Sequence, residues 1–357
     1  MNDSENHDSP RTPAEFSRYS RQILCRQIGI AGQARLSESS VLLLGCGALG
    51  SVLAETLVRA GVGRLKLCDR DFVETDNLQR QVLFDEGDVA GNLPKATAAA
   101  ARLARINSQV NVEAIVADAN HGNIERLAEG AVLLLDGTDN FETRYLINDL
   151  AVKTDRPWVY GAVIGTTGLC MTVIPHETPC LRCVFEEAPP ADMNPTCDTA
   201  GVLAPVVNVI ASLQAMEAIK LLIGRADQIN RGLMQFDGWS GRLINVNVAG
   251  ARRAGECPCC GKGDFAYLSG RRAGGTTTLC GRNAVQVLPG NRAMIDFAAI
   301  AARLRPLAGV ALSYNAFLLR AEVNGHEMTL FPDGRAIVKG TKDADQARSL
   351  YAKYFGC

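Results

Sequence analysis

The pattern of apolar and polar residues along the chain predicts alternating strands and helices. Short apolar runs, each followed by a glycine or a polar residue, have the length and composition of buried strands, and stretches with helical spacing lie between most of them. These runs are Val41 to Leu44, the segment ending at Asp69, Asn111 to Ala117, Ala131 to Asp136, Trp158 to Gly165 and Gly168 to Pro175. The alternation predicts an α/β fold with a doubly wound, Rossmann-like, mostly parallel sheet.

Three further segments differ from this alternation. Glu15 to Leu36 has helical spacing and includes the basic sequence RYSRQI, and Val206 to Gly224 reads as a strongly apolar helix. From about Asp264 the pattern changes to β-α-β-β-β and a closing helix, with Asn-Gly and Asp-Gly hairpin signals. We therefore expect a disordered tail over residues 1–14, a first domain over 15–263 and a small α+β domain over 264–357.

The composition is that of an ordinary globular protein. Of the 357 residues, 47% are hydrophobic and 21% are charged, and the net charge of −1 gives no support to nucleic acid or an anionic membrane as the main partner. The chain has no unbroken apolar run of 18 residues and no signal-peptide pattern, so we expect it in the cytoplasm. Twelve cysteines in a cytoplasmic chain suggest metal binding or catalysis before disulfides.

The first strand leads directly into a glycine motif, GCGALGS. Gly45, Gly47 and Gly50 have G-x-G-x-x-G spacing between a predicted strand and a predicted helix, and Asp69 ends the next strand 19 residues past Gly50. Glycines permit the tight turn and let a phosphate approach the backbone at the helix N-terminus, while the acid is placed to bind ribose hydroxyls. The motif predicts a nucleotide site, and by itself it does not distinguish a dinucleotide from ATP.

Polar side chains collect where the later strands end. The segment after Asp69 reads RDFVETDNLQRQVLF and is too long for a tight turn, and DGTDN follows the fourth strand. Loops at the carboxyl ends of parallel strands are where open α/β sheets bind ligands. The candidates for phosphate or metal binding there are Asp71, Asn77, Gln79, Arg80, Lys95 and Asp139.

Taken together, RYSRQI, GCGALGS, DRDFVETDNLQRQ, Lys95, GTDN, two C-x-x-C pairs and CDTAG before LQAMEAIK resemble the E1-like ThiF/MoeB/HesA adenylyltransferase family. The resemblance covers about Glu15 to Gly261. It implies that MgATP activates the C-terminal Gly-Gly of a ubiquitin-like sulfur-carrier protein of the ThiS or MoaD type. The resulting acyl-adenylate would become a thiocarboxylate through a separate sulfur donor, for thiamine, molybdopterin or related sulfur chemistry.

The resemblance also implies residue roles, which start with the nucleotide. Asp69 would bind the ribose, and Asp71 is a weaker candidate that could simply shape its loop. Asp139 would hold Mg²⁺, and Arg21 would reach the phosphates of the other subunit of a homodimer. The groups expected at the ATP phosphates are Gly45, Gly47, Ala48, Leu49, Gly50, Asn77, Arg80 and Lys95.

Cysteines account for the remaining implied roles. The two C-x-x-C pairs match a structural four-cysteine Zn²⁺ site made of Cys180, Cys183, Cys257 and Cys260. Cys259 could replace one of these ligands or be a spare reactive thiol. Cys197 matches a loop cysteine that can join covalently to the carrier. Cys280 is expected as a core or interface thiol, and no motif assigns a function to the C-terminal domain or to Cys357.

Three other functions stay open on sequence alone. An NAD(P)-dependent oxidoreductase would use the glycine motif and Asp69 equally well, but it leaves Lys95, GTDN and the cysteine pairs unexplained. A non-enzymatic scaffold with a degenerate nucleotide site conflicts with the intact set of polar residues. Within E1 chemistry, a thioester on Cys197 would serve the conjugation of a ubiquitin-like protein to other proteins.

Overall fold

The computed structural model describes residues 16–187, 200–252, 255–272, 277–279, 283–287, 295–306, 310–323 and 325–355. The predictions for the N-terminal tail, Cys197, Cys280 and Cys357 fall outside these residues.

An eight-stranded sheet forms the centre of the first part of the chain. Its order is β3-β2-β1-β4-β5-β6-β7-β8, with the first five strands parallel and the last three antiparallel to their neighbours. The predicted doubly wound, mostly parallel sheet is therefore confirmed. The strands are β1 Ser40–Leu44, β2 Arg64–Asp69, β3 Asn111–Val116, β4 Leu133–Asp136, β5 Trp158–Ile164, β6 Thr167–Val173, β7 Leu233–Asp237 and β8 Arg242–Val246.

Helices cover both faces of this sheet. The sheet lies between two apolar cores, one on each side. They are α1 Ser20–Ile23, α2 Gly29–Glu38, α3 Ala48–Ala60, α4 Glu86–Ala90, α5 Lys95–Ile106, α6 Ile124–Leu127, α7 Phe141–Lys153, α8 Leu181–Val184 and α9 Ala204–Leu222. From β1 the chain continues to β2 and β3 on one side, whereas β4 and β5 lie on the other side of β1. The connections after β1 and after β4 therefore run in opposite directions across the sheet. Such a switch point opens a crevice at the carboxyl ends of the strands, where ligands bind.

The N-terminal segment differs from its prediction. One continuous helix was expected from Glu15 to Leu36, but the structure has a 3-10 turn at Ser17–Tyr19, the short α1, and a break before α2. The break covers residues 24–28, and Gly29, the first residue of α2, has a left-handed φ of 58°, which a continuous helix does not allow. A local glycine conformation therefore overrides the helical spacing of the surrounding residues.

Helix α9 is long and apolar enough to cross a membrane by length and composition. One side of it is nevertheless packed against the sheet, where Val207 and Ile210 are fully buried in the same core as α3. Its buried Gln214 donates hydrogen bonds to the carbonyl oxygens of Asp136 and Val159, at 2.8 and 3.3 Å. These contacts are those of a core helix in a globular domain.

The C-terminal part forms a small α+β domain, as predicted, with one more strand before its first helix and one more strand after it than the predicted β-α-β-β-β. Its six-stranded antiparallel sheet has the order β11-β12-β13-β14-β10-β9. The elements are β9 Thr277–Leu279, β10 Ala284–Val287, α10 Phe297–Leu304, β11 Ala311–Tyr314, β12 Leu319–Val323, β13 His326–Leu330, β14 Ala336–Lys339 and α11 Ala344–Tyr354. Both hairpin signals lie between paired strands, in the β12–β13 and β13–β14 connections.

Candidate active site and cysteine cluster

The glycine motif brings three backbone segments into close contact. A Cβ on Gly50 would lie 2.0 Å from the carbonyl oxygen of Gly45, and a Cβ on Gly45 would lie 2.5 Å from that of Gly137. Only glycine fits at these approaches, and Gly45 also has a φ of 88°. Gly47 is the N-cap of α3, so this helix starts inside the motif, three residues earlier than predicted. Its first backbone N–H groups therefore face the crevice, together with the partial positive charge of the helix end.

Asp69 is fixed at the end of β2 by two backbone donors. The N–H of Cys46 donates to Oδ2 and the N–H of Asp71 donates to Oδ1, both at 2.6 Å. Burial raises the pKa of the Asp69 carboxyl, while nearby Lys95 and the two N–H groups act in the opposite direction. Each carboxylate oxygen has a further lone pair with which it could accept from ribose hydroxyls.

Lys95 lies against the same loop. Its side chain is 4% exposed and its ammonium is 3.5 Å from Oδ2 of Asp71. The N–H of Lys95 also donates to the carbonyl oxygen of Asp71 at 2.9 Å. A buried cation at a helix start is unfavourable for the helix dipole. With Asp71 as its ion-pair partner and Asp69 nearby, this ammonium is a cation at the edge of the crevice that is suited to bind an anion.

The loop after Asp71 presents the other phosphate candidates. Asn77 is fully buried in a 3-10 turn, and Nη1 of Arg80 donates to the carbonyl oxygen of Asp76 at 2.6 Å. Gln81, which the sequence did not single out, is 4% exposed, and its Oε1 has no hydrogen-bond partner in the described part of the chain. Its amide lies 4.0 Å from where a Cβ of Gly47 would be, so it points toward the glycine motif.

The end of β4 holds a buried ion pair and an exposed carboxylate. Oδ2 of Asp136 accepts from Nε of Arg144 at 3.2 Å, and Oδ1 accepts from the backbone and hydroxyl of Thr138. Burial raises the pKa of the Asp136 carboxyl, and Arg144 opposes this effect. This network fixes the turn that exposes Asp139, whose carboxylate accepts no hydrogen bond from the described residues. Such an exposed carboxylate is a suitable ligand for Mg²⁺.

The basic N-terminal segment is anchored, but its Arg21 is not. The Tyr19 hydroxyl accepts from Asn107 at 2.8 Å, and Gln22 donates to the carbonyl oxygen of Ala60 at 3.0 Å. Arg21, between them, is exposed, and it forms no ion pair with any residue that the structure describes. It therefore projects from a fixed segment.

The two C-x-x-C pairs meet in space. The sulfurs of Cys180, Cys183, Cys257 and Cys260 all lie within 4.8 Å of one another, and the closest pairs are 3.4 to 3.8 Å apart. Tetrahedral Zn²⁺ with Zn–S bonds of about 2.3 Å places its sulfurs about 3.8 Å apart. None of these cysteines is in a disulfide. The cluster therefore fits a closed four-thiolate site.

Helix α7 joins the two C-x-x-C segments, residues 180–183 and 257–260, which are here called the first and the second knuckle. Asn148 accepts from the N–H of Leu181 at 2.8 Å in the first knuckle and donates to the sulfur of Cys259 at 3.3 Å in the second. Next to it, Oδ2 of Asp149 accepts from the N–H groups of Tyr267 and Leu268. Cys259 is fully buried beside Asn148. It is therefore not a surface thiol, and its sulfur is not one of the four in the cluster. The packing of the first domain thus continues to Leu268, past the predicted boundary at residue 263.

The model of the ThiF family matches residues 19–259 of the chain. The chain belongs to the ThiF family. This ThiF-family chain is 43% identical over 339 residues to a Bacillus subtilis protein named sulfur carrier protein ThiS adenylyltransferase, covering 95% of this chain and 99% of that protein. It is also 39% identical over 256 residues to the Thermus thermophilus sulfur carrier protein adenylyltransferase, covering 70% of this chain and 92% of that protein.

Solved structures agree with this assignment. The crystal structure of E. coli MccB with ATP matches with a TM-score of 0.58 at 25% identity, covering 68% of this chain and 74% of that chain. The ThiF-family chain is therefore an adenylyltransferase, and adenylation implies the use of ATP. Membership of this family argues against the oxidoreductase and the non-enzymatic scaffold, the two functions outside E1 chemistry that the sequence left open.

Proposed function

We propose that this chain uses MgATP to adenylate the C-terminal Gly-Gly carboxylate of a ubiquitin-like sulfur-carrier protein. One observation supports it above all: the glycine motif, Asp69 and Asp139 follow the carboxyl ends of β1, β2 and β4, and Lys95 at the start of α5 lies against the loop after β2, around one crevice. This arrangement offers donors for phosphates, an acceptor for ribose and a carboxylate for a metal. The names of the relatives supply the acceptor, a sulfur carrier.

The chemistry needs positioning and charge neutralisation rather than a strong base. A carboxylate oxygen of the carrier attacks the α-phosphorus of ATP, the bond from that phosphorus to the bridging oxygen breaks, and pyrophosphate leaves. Asp69 accepts from the ribose, while Asn77, Arg80 and Lys95 hold the phosphates. Asp139 would hold the Mg²⁺, which neutralises charge on the departing pyrophosphate.

We place the reaction in the cytoplasm, as a step toward a thiocarboxylate for thiamine synthesis. The long match to the Bacillus subtilis ThiS adenylyltransferase, which includes the C-terminal domain, favours thiamine over molybdopterin. A separate sulfur donor completes the conversion. Cys197, which precedes α9 in the sequence, is proposed to join covalently to the carrier during that step.

The direct test is carrier-dependent exchange of pyrophosphate into ATP. We expect exchange with a small Gly-Gly-terminated carrier such as a ThiS-type protein, and none when its last glycine is removed. Cys197→Ala is expected to keep the exchange and to lose any carrier adduct seen by intact-mass spectrometry after addition of a sulfur donor. An adduct that persists in Cys197→Ala and vanishes in Cys357→Ala would assign the thiol differently. Absence of exchange with every such carrier would reject the function.

A homodimer with shared sites is part of this proposal. Two surfaces support it: the outer side of α9, where Val209 and Met216 are 36% and 54% exposed, and Leu24, which is 72% exposed on the segment after Arg21. Exposed apolar side chains on an ordered helix are typical of subunit interfaces. Arg21 would then reach the ATP phosphates of the other subunit.

Subunit mixing tests this arrangement. Arg21→Ala and Lys95→Ala should each be inactive in exchange, because each lacks one cation of every site. A mixture that has exchanged subunits should regain activity, since one of the two sites in a mixed dimer then has both cations. Mixed dimers, isolated by two affinity tags, that stay inactive would place Arg21 in its own subunit's site.

A further inference from the structure

The C-terminal domain packs directly on the segment that follows β2, residues 70–77, here called the post-β2 segment. This segment joins Asp69 to Asn77 and therefore connects the expected ribose and phosphate contacts. No sequence motif suggested that the two domains meet here. The contacts are of three kinds: a buried polar network, an ion pair and an apolar cluster.

Arg335 is the centre of the polar network. Its side chain is 2% exposed, although it lies next to the β13–β14 hairpin. Nη2 donates to the carbonyl oxygen of Arg70 at 3.3 Å, and Nη1 donates to Gln286 of β10 at 3.4 Å. Gln286 in turn donates to Oδ2 of Asp118 at 2.9 Å, and Oδ1 of Asp118 pairs with Arg70 at 2.7 Å. A closed set of contacts thus links the C-terminal sheet to the first residue of the post-β2 segment.

Lys339 provides the ion pair, at the other end of the segment. Its ammonium lies 2.6 Å from Oε1 of Glu74 and 3.2 Å from Oε1 of Glu327. Glu74 caps the 3-10 turn Thr75–Asn77 through a reciprocal bond with Asn77. The C-terminal domain therefore contacts the residue that fixes the turn presenting Asn77.

Phe72 occupies the middle of the segment. It is 7% exposed and packs on Phe331 of the C-terminal domain, with ring centroids 5.5 Å apart. Leu318 and Ile337 complete this cluster. On the opposite side, the segment pairs with the start of α5, where the N–H of Lys95 donates to Asp71. The post-β2 segment is thus held between the C-terminal domain and the residues expected to contact ATP.

We propose that the C-terminal domain positions the post-β2 segment for nucleotide binding, with Arg335 as its main positioning residue. The inference rests on the proposed function, since it presumes that this segment binds ATP. A positioning role follows from the geometry, because the guanidinium holds a backbone carbonyl one residue from Asp69 and lies in the C-terminal domain. Without it, Asp69, Asp71 and Asn77 lose a common support. Arg335 itself does not touch the nucleotide.

Nucleotide affinity tests the proposal without any carrier. Calorimetry with the ATP analogue AMPCPP and Mg²⁺ should show Kd rising about tenfold in Arg335→Met, the scale of one lost charged hydrogen bond. In exchange assays, KM for ATP should rise while KM for the carrier stays unchanged. Arg335→Lys, which retains a cation, should fall between the wild type and Arg335→Met.

Matched controls separate positioning from folding. Arg303→Met removes an arginine that donates to the carbonyl oxygens of Tyr354 and Phe355 inside the C-terminal domain, so it should alter stability but not Kd. If Arg335→Met does not fold, Lys339→Met replaces it, with exposed Lys353→Met as its control. The inference is overturned if folded Arg335→Met binds AMPCPP as tightly as the wild type. The same holds for Lys339→Met where it replaces Arg335→Met. Wild-type binding of AMPCPP without carrier-dependent exchange would reject only the proposed function.

Discussion

Cys180→Ser is expected to remove the metal and to cause the largest loss of stability of any substitution considered. Four thiolates from two segments 77 residues apart in sequence meet here, and no disulfide joins them. Zinc binding by such sites contributes about 10–16 kcal/mol in small zinc-finger peptides, because binding is coupled to folding. Elemental analysis should find about one zinc per wild-type chain. The variant should contain no zinc, and its Tm should be much lower than that of the wild type.

Cys259→Ser is the matched control for the zinc prediction. Cys259 lies between two of the ligands, Cys257 and Cys260, and is fully buried, but its sulfur accepts from Asn148 and is not one of the four clustered sulfurs. It should keep a full complement of zinc. A metal-free wild-type protein with an unchanged Tm in a chelator would contradict the site, as would loss of zinc from Cys259→Ser alone.

Asp139→Ala is expected to lower carrier-dependent pyrophosphate exchange about a hundredfold. An electrostatic contact to the reacting phosphates is worth about 3 kcal/mol, and Asp139 is the exposed carboxylate that the buried Asp136–Arg144 pair presents at the end of β4. The loss should be partly offset by raising Mg²⁺, because a metal ligand and not the fold has been removed. Tm should not change.

Asp227→Ala serves as the control for this prediction. Asp227 is also exposed, but it lies in the 3-10 turn after α9, where it pairs with Arg225. Its removal should leave exchange at the wild-type rate. Full exchange in Asp139→Ala, at any Mg²⁺ concentration, would exclude Asp139 as the metal ligand.

Local sequence predicted the backbone geometry of the glycine motif. Gly45 and Gly50 fall where the chain needs residues without a Cβ, and Asp69 ends a strand beside them. These features are predictable because strand, turn and helix are all set within about 30 residues. The prediction of one N-terminal helix was wrong for a related reason: the helix is interrupted over residues 24–28 and at the left-handed Gly29, although the spacing of the apolar residues there is helical.

Contacts between distant segments could not be read from the sequence. Asn148 lies in an ordinary helical pattern, yet it ties both cysteine knuckles together. Gln81 lies in the segment DRDFVETDNLQRQ, as Gln79 does. What distinguishes it is that its side chain is buried and that its Oε1 has no hydrogen-bond partner among the described residues. Neither residue differs in type or spacing from many surface amides.

Periodicity and short spacings were enough to predict the α/β fold, the glycine motif and the two cysteine pairs, because each of them is encoded locally. The support that Arg335 gives to the segment after Asp69 is visible only in the folded chain, since 265 residues separate it from Arg70. An arginine after an Asp-Gly turn reads as solvent-exposed, and it is buried here because another domain covers it. Burial against a distant surface is a property of the folded chain, and no local pattern records it.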